Sequence, residues 1–304
     1  MTAVSVIIPT YNRGETLLRV IERLLVMEPT DKEIIIVDQT RSHAQDVWRV
    51  LKKWSEEGKI RYIRLRQPSI PVAINRGLIE ARSEIALIID DDAIPDDQLI
   101  QYHLEGYKSY DVSLIAGRII QPWHEDGKHM KAMARQYDDP DMMEFNSPHR
   151  RFVKRFMAGN VSLKISDGLQ VGGMDENFVG SAYRFEAEFA DRMDRAGMRM
   201  LYLPTAQVRH LKLDSGGTSS YGIHYRTIRP YHAVGEYYYL LAARSAAKRI
   251  RKFFLRPIRS CVTRYHMCRP WAIVPTLIAE IWAMLWAVVL RFRGPRLVGT
   301  EYRK

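Results

Sequence analysis

Four short apolar runs, rich in β-branched residues, recur through the first third of the chain. They occupy residues 4–9, 33–37, 60–65 and 85–89. Runs that do not alternate with polar residues are strands covered on both faces, the pattern of a parallel sheet. Apolar stripes at helical spacing fall between them. Leu17, Leu18, Ile21, Leu24 and Leu25 mark one; Val47, Val50, Leu51 and Trp54 another; Ala73, Ile74, Gly77, Leu78 and Ala81 a third. Strand and helix in strict alternation predict a doubly wound α/β sheet. Such sheets bind ligands beyond the carboxyl ends of their strands. Asp38 and Asp90–Asp92 fall at those ends.

The run Ile85-Ala-Leu-Ile-Ile leads directly into Asp90-Asp91-Asp92. Residues i and i+2 of a strand share a side, so Asp90 and Asp92 project together if strand geometry persists. Two ionised carboxylates side by side call for a cation, and a hard divalent ion such as Mg²⁺ accepts one or two carboxylates plus phosphate oxygens. The alternative is a solvated acidic turn. Asp96 and Asp97 read better as caps of a helix beginning near Gln98.

Further along, residues 121–155 are polar and aperiodic, a variable excursion with some helix. Strands are expected at 160–165, 200–203 and 207–210, and a helix at 186–196 that ends at Gly197. Asp214-Ser-Gly-Gly-Thr-Ser-Ser-Tyr-Gly222 is rich in glycine and serine, and suits either a lid or a linker.

Four segments occur in a telling order: Val4-Ser-Val-Ile-Ile-Pro-Thr-Tyr-Asn-Arg13, Glu33-Ile-Ile-Ile-Val-Asp38, Pro68-Ser-Ile-Pro-Val-Ala-Ile-Asn-Arg-Gly77 and Ile88-Ile-Asp-Asp-Asp92. Together they resemble the inverting glycosyltransferases of family 2, over roughly residues 3–212. The resemblance implies a GT-A fold: a Rossmann-like, mostly parallel sheet flanked by helices. It implies a GT-A domain at 1–222 and a helical C-terminal extension at 223–304.

For the site, the resemblance implies that Pro9, Thr10 and Tyr11 line a nucleobase pocket. Asp38 would accept a hydrogen bond from the base; the family continues with Gly-Ser where this chain has Gln39-Thr40. Asp90 and Asp91 would meet the ribose and sugar side of a nucleotide-sugar donor. Asp92, with Asp90, would hold Mn²⁺ or Mg²⁺. His210 would complete the metal site, a structural histidine being the alternative; Mn²⁺ tolerates imidazole better than Mg²⁺ does. The catalytic base maps to Glu186, where the family usually shows Asp, with Glu188 as runner-up and Asp191 expected on an exposed helix face. Val171-Gly-Gly-Met-Asp-Glu-Asn-Phe178 matches a segment near the acceptor, or only a tight turn. One base and no evident nucleophile imply a single displacement with inversion.

Charge is uneven along the chain. From Arg209 onward there are 18 Lys/Arg against four acids, whereas the residues before it carry 28 against 31. Basic tails meet nucleic acid or anionic membrane. Here residues 271–290 are apolar except for Thr276 and Glu280, with basic residues at both flanks. An acid at the centre of a span costs about 3 kcal/mol, and symmetric basic flanks lack the asymmetry of a span. The tail therefore reads as a peripheral attachment to the cytoplasmic leaflet, with a single span or packing on the globular part as alternatives. Nucleic acid has no use for the apolar stretch. A membrane location suggests a lipid-linked or saccharide acceptor. The N-terminus reads as a strand, not a signal peptide, and Cys261 and Cys268 fit no zinc or redox spacing, which suits a cytosolic setting.

Two other readings remain. A sugar nucleotidyltransferase would open on Gly-x-Gly-Thr-Arg, which Pro9-Thr-Tyr-Asn-Arg-Gly14 lacks. A non-catalytic membrane-attached binding protein would not need Asp90, Asp92, Glu186 and His210 together.

Overall fold

The computed structural model describes residues 2–125, 145–242 and 246–299. Much of the expected excursion at 121–155 lies outside the described residues. Strands β1 (Ser5–Thr10), β2 (Glu33–Asp38), β3 (Arg61–Arg64) and β4 (Ile85–Ile89) are the four apolar runs. They pair in parallel in the order β3-β2-β1-β4. Helices α1 (Glu15–Leu25), α2 (Gln45–Glu56) and α3 (Ile70–Glu80) are the three predicted stripes.

Beyond β4 the sheet becomes mixed. The remaining elements are β5 (Ala93–Pro95), α4 (Leu99–Ser109), β6 (Leu114–Ile120), α5 (Pro122–Glu125), β7 (Arg151–Phe152), β8 (Asn160–Lys164), α6 (Ile165–Gln170), α7 (Phe185–Arg195) and β9 (Met200–His210). The sheet continues β4-β8-β6-β9-β5, with β4–β8, β6–β8 and β5–β9 antiparallel and β6–β9 parallel. The two short strands expected at 200–203 and 207–210 are one strand. Its pairing with β6 shifts register between Gly117 and Arg118, and this irregularity carries Pro204, Thr205 and Ala206 through the interruption. One apolar cluster lies on each side of the sheet, because Ile7 and Ile35 point one way and Val6, Ile8 and Ile36 the other.

The expected caps are absent. Asp96 accepts from the Gln207 amide at 2.8 Å, Asp97 pairs with Arg23, and no side chain caps α4.

The C-terminal region is helical: α8 (Val234–Ala242), α9 (Ala246–Cys261), α10 (Arg264–Cys268) and α11 (Ile273–Arg293). Phe253, Ala283, Ala287, Leu290 and Val298 belong to the same apolar cluster as Ile7, Ile74 and Phe189. The chain end is tied back as well: Val298 N–H donates to Gly172 O at 2.8 Å and Arg296 N–H to Asp175 Oδ1 at 3.0 Å. Asp175 also accepts from Tyr238 OH at 2.8 Å, so the Gly-Gly-Met-Asp segment clamps the tail.

Glu280 faces inward. It is fully buried and meets Tyr237 OH at 2.6 Å, Arg256 Nε at 3.1 Å and His224 Nε2 at 3.2 Å. Burial alone would raise its carboxyl; these partners hold it below the usual range. The acid that counts against insertion in the sequence therefore lies on the packed face of α11, with Ala279, Ala283 and Ala287. The opposite face leaves Val274, Ile278, Trp282, Leu285 and Phe292 exposed.

Candidate active site

The carboxyl ends of β1 and β4 open onto a cleft of about 410 Å³. Its wall includes Pro9, Thr10, Tyr11, Asp90, Asp91, Asp92, Glu186 and His210. Asp38 is not on that wall. It is fully buried, with Oδ2 accepting from Tyr62 OH at 2.5 Å and meeting His43, and Oδ1 accepting from the Thr40 N–H at 2.7 Å. Burial would raise its carboxyl, but these donors hold it below the usual value. Gln39 faces the cleft instead. Its amide oxygen accepts from Ser69 N–H, and its NH₂ donates to Thr10 O at 3.3 Å, so one side chain ties three loops together.

The aspartates divide their work. Asp91 is bound by protein donors on both oxygens: Thr10 OH at 2.7 Å and Tyr11 N–H at 3.3 Å on Oδ2, and Arg13 Nε at 3.1 Å on Oδ1. Burial pushes its carboxyl up to about 7 despite Thr10 and Arg13. Arg13 Nη2 also lies 2.8 Å from Asp92 Oδ2, so the guanidinium bridges neighbouring acids. The sequence motif gives Arg13 no role, because nothing local pairs it with residues nearly eighty positions away.

Asp90, Asp92 and His210 each offer a ligand atom, all within 4.8 Å of one another. Their union depends on the β5–β9 pairing, which sets Ala93 opposite His210 and lets Leu211 N–H donate to Asp92 O at 2.8 Å. His210 Nε2 lies 3.1 Å from Asp92 Oδ1 and 3.7 Å from Asp90 Oδ2. Burial would lower the imidazole, yet the two carboxylates raise it to about 10. A field that holds a proton this firmly also attracts a divalent cation. The donors fit one: two carboxylates and an imidazole suit Mn²⁺. The buried His210 Nδ1 also has no hydrogen-bond partner among the described residues, and Asp92 Oδ2 is held by the Arg13 ion pair. Asp90 keeps its position because residue 159 is glycine; a Cβ there would stand 2.4 Å from Asp90 Oδ2.

Glu186 lies in the first turn of α7, after a turn in which Ala182 (φ 53°) and Arg184 (φ 76°) are left-handed. Such non-glycine residues carry strain of about 1 kcal/mol or more each, and here the strained turn leads into the cleft. Burial pushes the Glu186 carboxyl up to about 7, and the Asp90 charge adds to the rise. Glu188, the runner-up, is locked to Arg192 at 2.7 and 2.8 Å. Asp191 is not on an open face: it is half-buried and bound by Arg155 at 2.8 Å and Tyr239 OH at 2.9 Å.

The glycine-rich segment closes one side of the cleft. Gly217 N–H donates to Tyr11 O at 2.7 Å, and Arg13 donates to Ser215 O. A Cβ on Gly216 (φ +78°) would meet Asn12 O at 2.4 Å, so the close approach requires glycine.

Two solved structures share the fold. A mannosyltransferase from Pyrobaculum calidifontis, PcManGT, in complex with GDP-Man and Mn²⁺, is 18% identical with a TM-score of 0.56, over 96% of this chain and 79% of that one. GalNAc-T7 with UDP, GalNAc and Mn²⁺ is 14% identical with a TM-score of 0.55, over 83% of this chain and 53% of that one. Among curated proteins, the poly(ribitol-phosphate) β-N-acetylglucosaminyltransferase TarP of Staphylococcus aureus (strain N315) is 33% identical over 132 residues. That match takes in 42% of this chain and 38% of that relative's length. Residues 5–166, more than half of the chain, match the profile of glycosyl transferase family 2. With the four motifs, the acidic cleft and the GT-A architecture in agreement, the chain belongs to glycosyl transferase family 2.

Proposed function

We propose that the protein is a metal-dependent, inverting glycosyltransferase that moves a sugar from a nucleotide-diphosphate donor to a hydroxyl acceptor. The observation that carries this is one cleft holding an Asp90–Asp92–His210 cluster and a proton-hungry Glu186 together. Asp90, Asp92 and His210 would hold Mn²⁺ or Mg²⁺, which when bound supplies Lewis-acid stabilisation of the departing diphosphate. The chain's own groups do the rest. Glu186 takes the proton of the acceptor hydroxyl as that oxygen bonds to the anomeric carbon; the bond from that carbon to the diphosphate breaks and carries its electron pair away. A single displacement inverts the anomeric centre. Arg13 fixes Asp91 and Asp92 and helps keep Asp92 charged, and the strap at 214–222 limits water at the reacting carbon.

Pro9 and Tyr11 are assigned to the nucleobase side, and Asp91 to the positioning of that loop. Asp38 would accept the base's ring N–H through Oδ1; since it is fully buried, this contact requires the Gln39–Thr40 turn to open. The acceptor is proposed to be lipid-linked or a saccharide polymer, the latter in keeping with the polymer named for TarP.

The C-terminal region is proposed to rest on the cytoplasmic leaflet. The stretch Pro270–Arg293 is long and apolar enough to cross a membrane, with mean hydropathy 2.1. However, one face of α11 is committed to α8 and α9 through Glu280 and the alanines, which favours lying on the leaflet over spanning it. Flotation with anionic and with neutral vesicles tests this: salt-sensitive binding to anionic vesicles is expected, and equal partition to both, or none, refutes it.

The reaction is tested by product. With Mn²⁺ and a panel of nucleotide sugars, release of nucleoside diphosphate that disappears in Asp92→Ala is expected. Release of pyrophosphate instead would mark a nucleotidyltransferase.

A further inference from the structure

Beside the donor cleft lies a second, larger chamber of about 930 Å³. Ser181, Tyr183, Thr218 and Ser219 line both, so the two spaces meet at the turn that leads into Glu186. The far wall belongs to the C-terminal helices and is basic. Lys252, Arg256 and Arg259 reach it from α9 at i, i+4 and i+7, one face of one helix. Arg184 faces them from the turn before α7.

The charges are not equally committed. Arg184 is paired with Glu236 at 2.7 Å, and Arg256 with the buried Glu280 at 3.1 Å. Lys252 and Arg259 have no carboxylate partner among the described residues. Glu236 is the one acid on the chamber wall among the described residues. A concave, hydroxyl-edged chamber with surplus cations is built for an oxyanion, and guanidinium and ammonium groups together are the usual donors to phosphate. Its size is in the range that takes a small-molecule ligand. The donor's own diphosphate belongs at the Asp–His cluster in the first cleft, none of whose residues line the chamber, so this second anion site serves another molecule.

The outer face of the same helix adds direction. Ile250, Phe254 and Ile258 recur every fourth residue and all are exposed, Phe254 by 64%. The cationic face of α9 turns into the chamber while its apolar face turns out.

We propose that the chamber between the turn before α7 and helix α9 is an acceptor subsite that binds a phosphate or diphosphate ester through Lys252 and Arg259, holding the acceptor's hydroxyl end toward Glu186. It rests on the glycosyltransferase reading in that the phosphate is assigned to the acceptor. The shared chemistry is the phosphate ester; the carrier is either a lipid or a soluble polyol.

The test uses the full chain with EDTA present, so that the Asp–His cluster cannot recruit phosphate through a metal. Binding of farnesyl phosphate, farnesol and glycerol phosphate is measured by calorimetry for the wild type and for the double variant Lys252→Gln, Arg259→Gln. Farnesyl phosphate is expected to bind at least about tenfold tighter than farnesol, and the variant to lose about tenfold or more of that affinity, as for charge-assisted bonds. Farnesyl phosphate binding tighter than glycerol phosphate identifies a lipid carrier; equal binding identifies a soluble one. In a separate metal-loaded sample, thermal stabilisation by nucleoside diphosphate reports that the variant is folded. Phosphate esters binding no tighter than farnesol, or a variant that binds like the wild type, overturns the subsite. If the wild type turns over no nucleotide sugar yet shows the charge-dependent binding, the proposed reaction fails and with it the assignment to an acceptor, while the phosphate-ester site stands.

Discussion

Glu186→Gln separates the energetic burden of the base from its use. In the folded protein the Glu186 carboxyl titrates at about 7, against an ordinary 4.5. The folded state therefore holds this proton more tightly than the unfolded chain does. Its contribution to stability is full below 4.5 and is lost as pH rises through 7. That interval corresponds to about 3 kcal/mol of destabilisation once the group is charged. Glutamine copies the protonated acid and removes this term. At about pH 8.5 the variant should be more stable than the wild type by up to about 3 kcal/mol, whereas at about pH 5 only a small part of that gain remains. For a chain of this size the gain is a rise in Tm of about 5 °C. Turnover should fall by about 10²–10⁴ in the same variant. The wild-type kcat/KM should show an acidic limb with its midpoint near 7, because the base must be deprotonated. Scanning calorimetry at both pH values in EDTA, together with nucleoside diphosphate release, checks both halves. A Tm gain independent of pH, or a variant that retains wild-type turnover, would refute the assignment of Glu186 as a strained, buried base.

Gly159→Ala should leave the fold nearly intact, since the nearest atoms to the new Cβ are those of the Asp90 carboxyl, Oδ2 at 2.4 Å. Metal titration of turnover should show the requirement for Mn²⁺ raised by about tenfold or more, because a ligand is pushed from place. Gly216→Ala forces an L-residue into φ +78° with its Cβ 2.4 Å from Asn12 O. The strap should detach, and the donor KM, measured by initial rates, should rise more than kcat falls. Glu280→Ala leaves Arg256 without its buried partner and should destabilise the protein by about 3 kcal/mol in urea unfolding. Replacing Glu280 and Arg256 together by Leu and Met should recover most of that loss.

The alternation of apolar runs and helical stripes announced the parallel half of the sheet because each run is a local pattern with its own period. Residues 5–10, 33–38 and 85–89 could be placed almost to the residue. The antiparallel half was harder to read. β5 has only three residues, and β9 is interrupted by Pro204, so periodicity broke it in two. The triple aspartate was visible as a ligand site because its residues are adjacent. The separate duty of Asp91 was not, because Arg13 reaches it from the loop after β1 and adjacency says nothing of that. Similarly, the spacing of residues 271–290 marked an apolar helix but could not say which way Glu280 would turn.

By itself the sequence determined which residue types gather at the strand ends, and in what order along the chain, since strand and helix periods are set by nearest neighbours. Tertiary structure alone decided that His210 stands over Asp92, that Glu186 rather than Glu188 enters the cleft, and that the basic face of α9 closes a chamber beside it. Those outcomes depend on the register of β5 against β9 and on which side of each helix finds a partner. Both are fixed by packing between segments more than a hundred residues apart in the first case and more than sixty in the last.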